Sequence, residues 1–430
     1  MKKALAIVMI IALAIPAFAA GQKEATGTPA APAATAAPAA APAAAPAAAP
    51  AAAPIKIGAT WPLGDITGKQ GSMAAQQAVD EINAAGGLLG RKLELIVIDD
   101  ELKADKGAAA IEKLVTVDNV DVLMGGMASG VALGQIPTMK KYGKVVISTG
   151  AASSTVENAL GADANWYFHL HPWDYNQGAS YVQGWDEIQK KYPAIKLVKL
   201  FLAYEEGAFG KASFDQTKIL FGADGRYQID GAPFKSAAQG GGDYSAVLEA
   251  AKQYRPDLFL WAGYDADALP LLEQSKAMKF SPGLYLGAPP GWPADFGKSP
   301  LANNVMLYGM WAPSINDISP VSKKFYDGFV AKYKVEPATY FAPLSYSAVY
   351  VFADAVKRAG STDTAALITA LKATNYASPL GQSITFSPSK VIPNQGIRNQ
   401  KILQWQKGRQ EVIWPFESAT AQPVYPFPAW

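Results

Sequence analysis

Two histidines, His169 and His171, stand two apart at the end of an apolar run, and the 430-residue chain has no others. Alternate residues of a strand leave on one face, so the pair has the geometry for a metal or for acid–base work. The sequence offers no third ligand beside them, and a structural or ligand-contacting role explains two rings at one strand end more simply. Asp99-Asp100-Glu101 closes another apolar run and has the oxygens for Mg²⁺; a solvated loop rim with acidic residues ahead of a helix accounts for it with less. Ser129 and Ser153 offer a third kind of chemistry. Each follows a glycine-containing strand exit, Gly125-Gly126 or Thr149-Gly150, and precedes a helical stretch. A hydroxyl and unpaired backbone amides at the positive end of a helix suit a carboxylate. Plain N-capping, worth about 1 kcal/mol, explains the same two serines equally well. No P-loop, G-x-S-x-G or H-E-x-x-H motif occurs. The enzymatic alternative, an exported α/β hydrolase or lyase, therefore rests on the histidine pair alone.

The elements that must position these residues alternate between strand and helix. Ile55, Ile57 and Ala59 alternate as in a short strand. Ala75, Ala78, Val79 and Ile82 then fall on one stripe of a helix, which Gly86-Gly87 ends. Leu93–Ile98 is apolar without a break and is expected to be covered on both faces. Further βα pairs follow: a helix around 108–117, strand 121–124, helix 131–142 kinked or interrupted at Pro137, strand 145–148, a turn through Ser154 and strand 166–170. A second series has helices at 176–190, 210–221, 244–254 and 266–278. Strands are expected at 196–202, 226–229, 258–261, 284–286 and 305–310, with helices 321–333, 345–358 and 364–373 after them. The pattern predicts an α/β protein with parallel sheets. The proline-containing tail beyond Glu417 is expected to be loosely ordered.

Length favours two domains, and a hydrophobic content of 50% is ample for large cores. Lys2 and Lys3, the apolar run Ala4–Ile15 and the small-x-small pattern Ala17-Phe18-Ala19 read as a cleaved export signal. With the two lysines removed, basic and acidic residues are equal in number, which gives no electrostatic reason to expect nucleic acid. The absence of cysteine excludes disulfides, thiolate chemistry and a lipid-bearing cysteine. From Pro29 to Pro54 prolines break the alanine run every fourth residue near its end, so the segment cannot be a continuous helix. It is either a semi-rigid spacer or a disordered leader.

The order of short motifs from Ile55 onward resembles the mature N-terminus of the leucine/isoleucine/valine-type periplasmic binding proteins. The residues that carry it are Lys56-Ile57-Gly58, Pro62-Leu63-Gly64, Ala78-Val79, Ile82-Asn83-Ala84, Gly86-Gly87, Gly90-Arg91-Lys92 and Asp99-Asp100. The resemblance extends to about Gln400, and Gly240-Gly241-Gly242-Asp243-Tyr244 is similar to the family's loop before a "Y-S-x-x-L" helix. It implies two Rossmann-like lobes joined by three crossovers. Lobe 1 would be 55–170 with 312–384 and lobe 2 would be 171–311 with 385–416, after a 1–19 signal peptide and a 20–54 linker and before a 417–430 tail. It also implies a monomer that needs no cofactor or metal and carries a small ligand to an ABC permease in the inner membrane; a sensor for a chemoreceptor or kinase is the related alternative. In such proteins a carboxylate is held at positions matching Ser129 and Ser153, with backbone contacts at Ala151. Aromatic contacts from the second lobe match Phe209 and Tyr264. Trp61, in the loop region after the first strand, is the best placed of several further aromatics (Trp173, Tyr204, Trp292, Trp311). The family's ammonium-binding glutamate has no counterpart in Gly287-Ala288-Pro289-Pro290-Gly291, and its small disulfide is absent too. The expected ligand is therefore a small carboxylate, either an amino acid, with Asp265 or Asp267 in place of the glutamate, or an acid with an apolar or aromatic body; the missing glutamate favours the latter.

Overall fold

The computed structural model describes residues 52–430 apart from 224 and 294. The expected signal peptide and nearly all of the Ala/Pro-rich segment lie outside the described residues. The chain begins with β1 (Ile55–Trp61), α1 (Ile66–Ala84), β2 (Leu93–Asp99), α2 (Ala104–Thr116), β3 (Val122–Gly125), α3 (Ser129–Tyr142), β4 (Val146–Ser148), α4 (Ser154–Leu160) and β5 (Tyr167–His169). These strands form one parallel sheet in the order β2-β1-β3-β4-β5. Asp65 starts α1 by accepting the Thr67 amide at 2.7 Å, the cap that frees an otherwise orphaned donor from water. At the other end Gly87 has φ 81°, and a Cβ there would stand 2.1 Å from the Arg91 carbonyl oxygen, so only glycine makes the turn into β2.

The sequence expectation for β2 holds in part. Leu95 and Val97 pack on one core and Ile96 and Ile98 on another, but as an edge strand β2 leaves all four half-buried. Pro137 does not interrupt α3, which runs through it. The turn expected through Ser154 leads straight into the short α4.

The second half continues with α5 (Asp174–Lys191), β6 (Lys199–Glu205), α6 (Ala208–Gly222), β7 (Gln228–Phe234), α7 (Ser245–Tyr254), β8 (Leu258–Ala262), α8 (Ala268–Ala277), β9 (Leu284–Gly287) and β10 (Met306–Gly309). Then come α9 (Pro320–Tyr333), α10 (Phe341–Ala359), α11 (Thr364–Lys372), the small hairpin β11 (Asn375–Ala377) and β12 (Ser383–Thr385), and finally β13 (Lys401–Gln406) and β14 (Arg409–Trp414). The second sheet has the order β14-β13-β10-β9-β8-β6-β7. Its first five strands in sequence are parallel, as expected. β13 and β14 are antiparallel, joined at Lys407-Gly408, whose φ values of 55° and 81° make the tight turn that such hairpins favour.

After β10 the chain returns to the first sheet, where α10 lies along α1. Gly71 permits that approach, since a Cβ there would be 3.1 Å from the Ser345 hydroxyl. The last passage between sheets differs from the expected position near 381–387. Asn394 accepts the His169 amide at 3.0 Å, and the Gly396 and Ile397 amides donate to His169 and Leu170 at 2.7 and 3.1 Å. Residues 394–397 therefore extend the first sheet beside β5, and the chain leaves it only at 398–400. The tail is also more ordered than its prolines imply. Phe427 is buried, its amide donates to the Gly283 carbonyl at 2.8 Å, and its ring meets Tyr285 edge-on. Among the described residues no helix is long and apolar enough to cross a membrane.

Candidate functional site

The carboxyl ends of parallel strands from both sheets converge on one pocket, the position where open α/β sheets take ligands. From the first sheet, Met127 and Ala128 follow β3 and Ala151 and Ala152 follow β4. From the second, Tyr264 follows β8, and Ala288 and Pro290 follow β9.

The first-sheet wall is made of backbone. Gly125 has φ 102°, and a Cβ on it would lie 2.4 Å from the Thr60 carbonyl oxygen. Ala151 is held at φ 64°, a conformation that costs a non-glycine residue energy and collects at functional sites. Its own amide donates to the Met127 carbonyl at 2.8 Å, which ties the two loops together. The amides of Ala128 and Ala152 donate to no protein acceptor among the described residues.

Ser129 and Ser153 sit directly behind this wall. Each is 1% exposed. The Ser129 hydroxyl accepts the Ser153 amide at 3.2 Å, and the Ser153 hydroxyl caps α4 by accepting the Thr155 amide at 3.2 Å. The structure thus joins the two serines to each other, with Ala151 between Ser153 and the pocket. Phe209 and Tyr264 both line the pocket, their ring centroids 6.1 Å apart. Trp61 does not reach it. Trp61 ends β1 on the same face as Ile55, Ile57 and Ala59 and is fully buried in the core, with its indole nitrogen 3.5 Å from the Thr149 hydroxyl. The further aromatics are also packing groups: Trp173 stacks on His169, Tyr204 on Phe214, Trp292 meets Trp261, and Trp311 donates to Ser322.

Sequence reasoning missed much of the rest of the lining. Gln177 and Tyr181 lie one turn apart on α5, Tyr308 belongs to β10, Tyr340 and Phe341 open α10, and Gln400 lies on the last passage between sheets. Tyr181 stacks on Tyr308 at 3.3 Å and donates to Gln400 Oε1 at 2.5 Å. The available signal was a polar residue and a tyrosine at i and i+4 in the apolar stripe of α5.

No Asp, Glu, Lys or Arg lines this pocket. His171 lines it but stays neutral, because burial pushes its pKa down to about 3. Its Nδ1–H donates to the Pro172 carbonyl and its Nε2 accepts from Tyr340, both at 3.0 Å. His169 is likewise buried, with its Nε2–H donating to Gly150 at 2.7 Å. No group of three His, Asp or Glu side chains capable of holding a metal occurs among the described residues. Asp267 is saturated by Ser236, Ala237, Tyr244 and Tyr264.

Asp65 is different. It is 6% exposed, its Oδ2 has no donor, and Asp265 from the second sheet faces it while accepting the Ile66 amide at 3.4 Å. Burial first, then the Asp265 charge, push its pKa up to about 8. Two carboxyl groups meet there only when one carries a proton.

A family model described as periplasmic binding protein matches residues 54–410. The Leu/Ile/Val-binding protein BraC3 of Rhizobium johnstonii is 26% identical over 353 residues, covering 80% of this chain and 88% of that one. Among solved structures, a branched-chain amino acid transporter substrate-binding protein of Streptococcus pneumoniae in complex with isoleucine superposes with a TM-score of 0.70 at 23% identity, covering 87% of this chain and all of that one. A solute-binding protein of an ABC transporter from R. palustris in complex with benzoate gives 0.69 at 20% identity, covering 84% and 95%. The matched length, the two largely parallel sheets and the pocket between them agree: the chain belongs to the periplasmic binding protein family and has its type I fold.

Proposed function

We propose that this solute-binding protein takes a small organic carboxylate with an apolar or aromatic body and delivers it to an ABC-type importer of the inner membrane. One observation carries the reading. A wall of unpaired amides at Ala128 and Ala152 faces a wall of rings at Tyr181, Phe209, Tyr264 and Tyr308, and no ionised side chain lies between them. Amides beside the first turn of α3 complement a carboxylate, and the rings complement an apolar body. An ammonium in the same pocket would lose its hydration without a carboxylate among the lining residues to meet it, at a cost of several kcal/mol. The benzoate bound by one structural neighbour is in keeping with this chemistry.

In this reading Ser129 and Ser153 shape the carboxylate wall, Ala151 aims it, and Phe209 and Tyr264 hold the body of the ligand. Lobes made of 55–170 with 312–397 and of 171–311 with 398–416 close around it as a monomer, with no covalent chemistry and no cofactor. The protein reaches the periplasm through a signal cleaved after Ala19, which mass spectrometry of envelope protein reads directly. A second reading, an α-amino acid, is favoured by the Asp65–Asp265 pair: an ammonium could take the place of the shared proton. Calorimetry on matched pairs separates the two, for example 4-methylpentanoate against leucine and 3-phenylpropionate against phenylalanine. Tighter binding of the deaminated partner supports the first reading; tighter binding of the amino acid replaces it with the second.

A further inference from the structure

The pocket does not end at Phe209. A second, narrow space lies between α5, α6 and β8 and shares Gln177, Tyr181, Phe209, Ala288 and Tyr308 with the first. Its origin is visible in α6. That helix is pinned at both ends. Gly210 sits against the Glu205 backbone, where a Cβ would be 2.2 Å from the carbonyl oxygen; at the far end Leu220 fills the space left by Gly178, and Phe221 is buried. Between the pins Phe214 packs on Tyr204 of β6 and against Gly231 of β7, while Ser213, Gln216 and Thr217 face the space beside β8, where a helix covering a sheet ordinarily carries large apolar side chains. Only Gly210 and Phe221 of α6 are buried.

The chamber is less polar than those residue types imply. The Ser213 hydroxyl donates to the Phe209 carbonyl at 2.9 Å and the Thr217 hydroxyl to the Ser213 carbonyl at 2.7 Å. Both groups are thus satisfied within the helix and turn carbon toward the space. Leu260 and Ala262 of β8 form the floor opposite. At the mouth Asp174 is occupied by Ser154 and the Tyr175 amide.

We infer that the ligand is elongated: its carboxylate end lies at Ala128 and Ala152, and a second apolar segment, an aryl ring or short acyl chain, passes Phe209 to lie between α6 and β8. This rests on the carboxylate reading above. The test is calorimetry of benzoate, phenylacetate, 3-phenylpropionate and 4-phenylbutyrate with the full mature chain. Affinity is expected to rise roughly fourfold per added methylene as each is buried. In Thr217→Leu, which fills the chamber from the helix side, the ratio of 4-phenylbutyrate to benzoate affinity is expected to fall to about one. Binding of benzoate with no gain along the series overturns the elongated ligand and leaves the carboxylate reading standing. A gain that Thr217→Leu leaves intact places the tail elsewhere and also overturns it. Failure of every acid to bind overturns both.

Discussion

The two walls of the cleft are built from different parts of the chain's chemistry. Beside the Met127 side chain the first sheet presents peptide groups: Ala128, Ala151 and Ala152 have small side chains, and their value lies in where their amides point. The second sheet presents side chains, rings from α5, α6, β10 and the loop after β8. A wall of amides recognises a charge and is indifferent to the rest of the ligand. A wall of rings recognises shape and can be altered by a single substitution. Conservation of charge recognition and variation of ligand body can therefore be separated within one pocket.

The largest expected effect comes from placing the wrong charge on the ring side. Ala288→Glu puts a carboxylate into the pocket from the loop after β9. Like charges in a closed site cost several kcal/mol, so affinity for a carboxylate such as 3-phenylpropionate should fall by roughly a hundredfold or more. A calorimetric titration that showed no loss would mean that the ligand carboxylate does not face Ala128 and Ala152 within this gap.

Next is the amide wall itself. Gly125→Ala forces a side chain at φ 102° and into the Thr60 carbonyl, and should destabilise the protein by about 2 kcal/mol or more in urea unfolding. Phe209→Ala, on a half-buried ring, should weaken binding while moving the unfolding midpoint less. Equal stability losses in the two variants would erase the contrast between the walls.

The third expectation concerns the acid pair that spans them. In this structure Asp65, facing Asp265 across the cleft, has its pKa raised to about 8, against about 3.9 for an aspartate in water. Between those values closure takes up a proton, so it strengthens as pH falls below 8 and is lost as pH rises through 8. The groups around Asp65 reinforce this direction: Asp265 faces it directly, and Glu205 and Asp267 lie with it around Tyr264. Affinity measured from pH 9 to 6 should rise toward the limit of about tenfold per unit, and Asp65→Asn should flatten the profile. An unchanged slope in Asp65→Asn would assign the dependence to another group.

The smallest effect is expected from Ser129→Ala. It strips the acceptor from the Ser153 amide and should cost about 1 kcal/mol of stability, with little direct change in affinity. A tenfold loss of affinity at unchanged stability would show instead that this hydroxyl turns to the ligand on binding.

How much of this was legible in the sequence follows the same division. The glycine and alanine turns after β3 and β4 could be read because backbone geometry restricts residue type there. That reading put Ser129, Ala151 and Ser153 at the ligand; Ala151 lines the pocket, and the two serines are buried behind it. Trp61 was misplaced although its parity with Ile55, Ile57 and Ala59 already assigned it to the core face. Tyr340, Phe341 and Gln400 reach the pocket from segments that pass between the sheets, and no periodicity marks such residues. The pairing of residues 394–397 with β5 was invisible for the same reason, since two hydrogen bonds beside a strand leave no pattern of their own.

The hairpin that completes the second sheet also bears on how the protein is made. Ile402, Ile413 and Trp414 share a core with Trp185, Leu200 and Tyr308, and Phe427, four residues from the last residue of the chain counting both, packs on Tyr285 of β9. A nascent chain has none of these contacts until β13 and β14 have been made. The second half consequently cannot close its core while only β6 to β10 are present, although folding during synthesis proceeds from the N-terminus by units. In the export reading proposed above, this order of assembly keeps the chain pliable during its passage through a membrane.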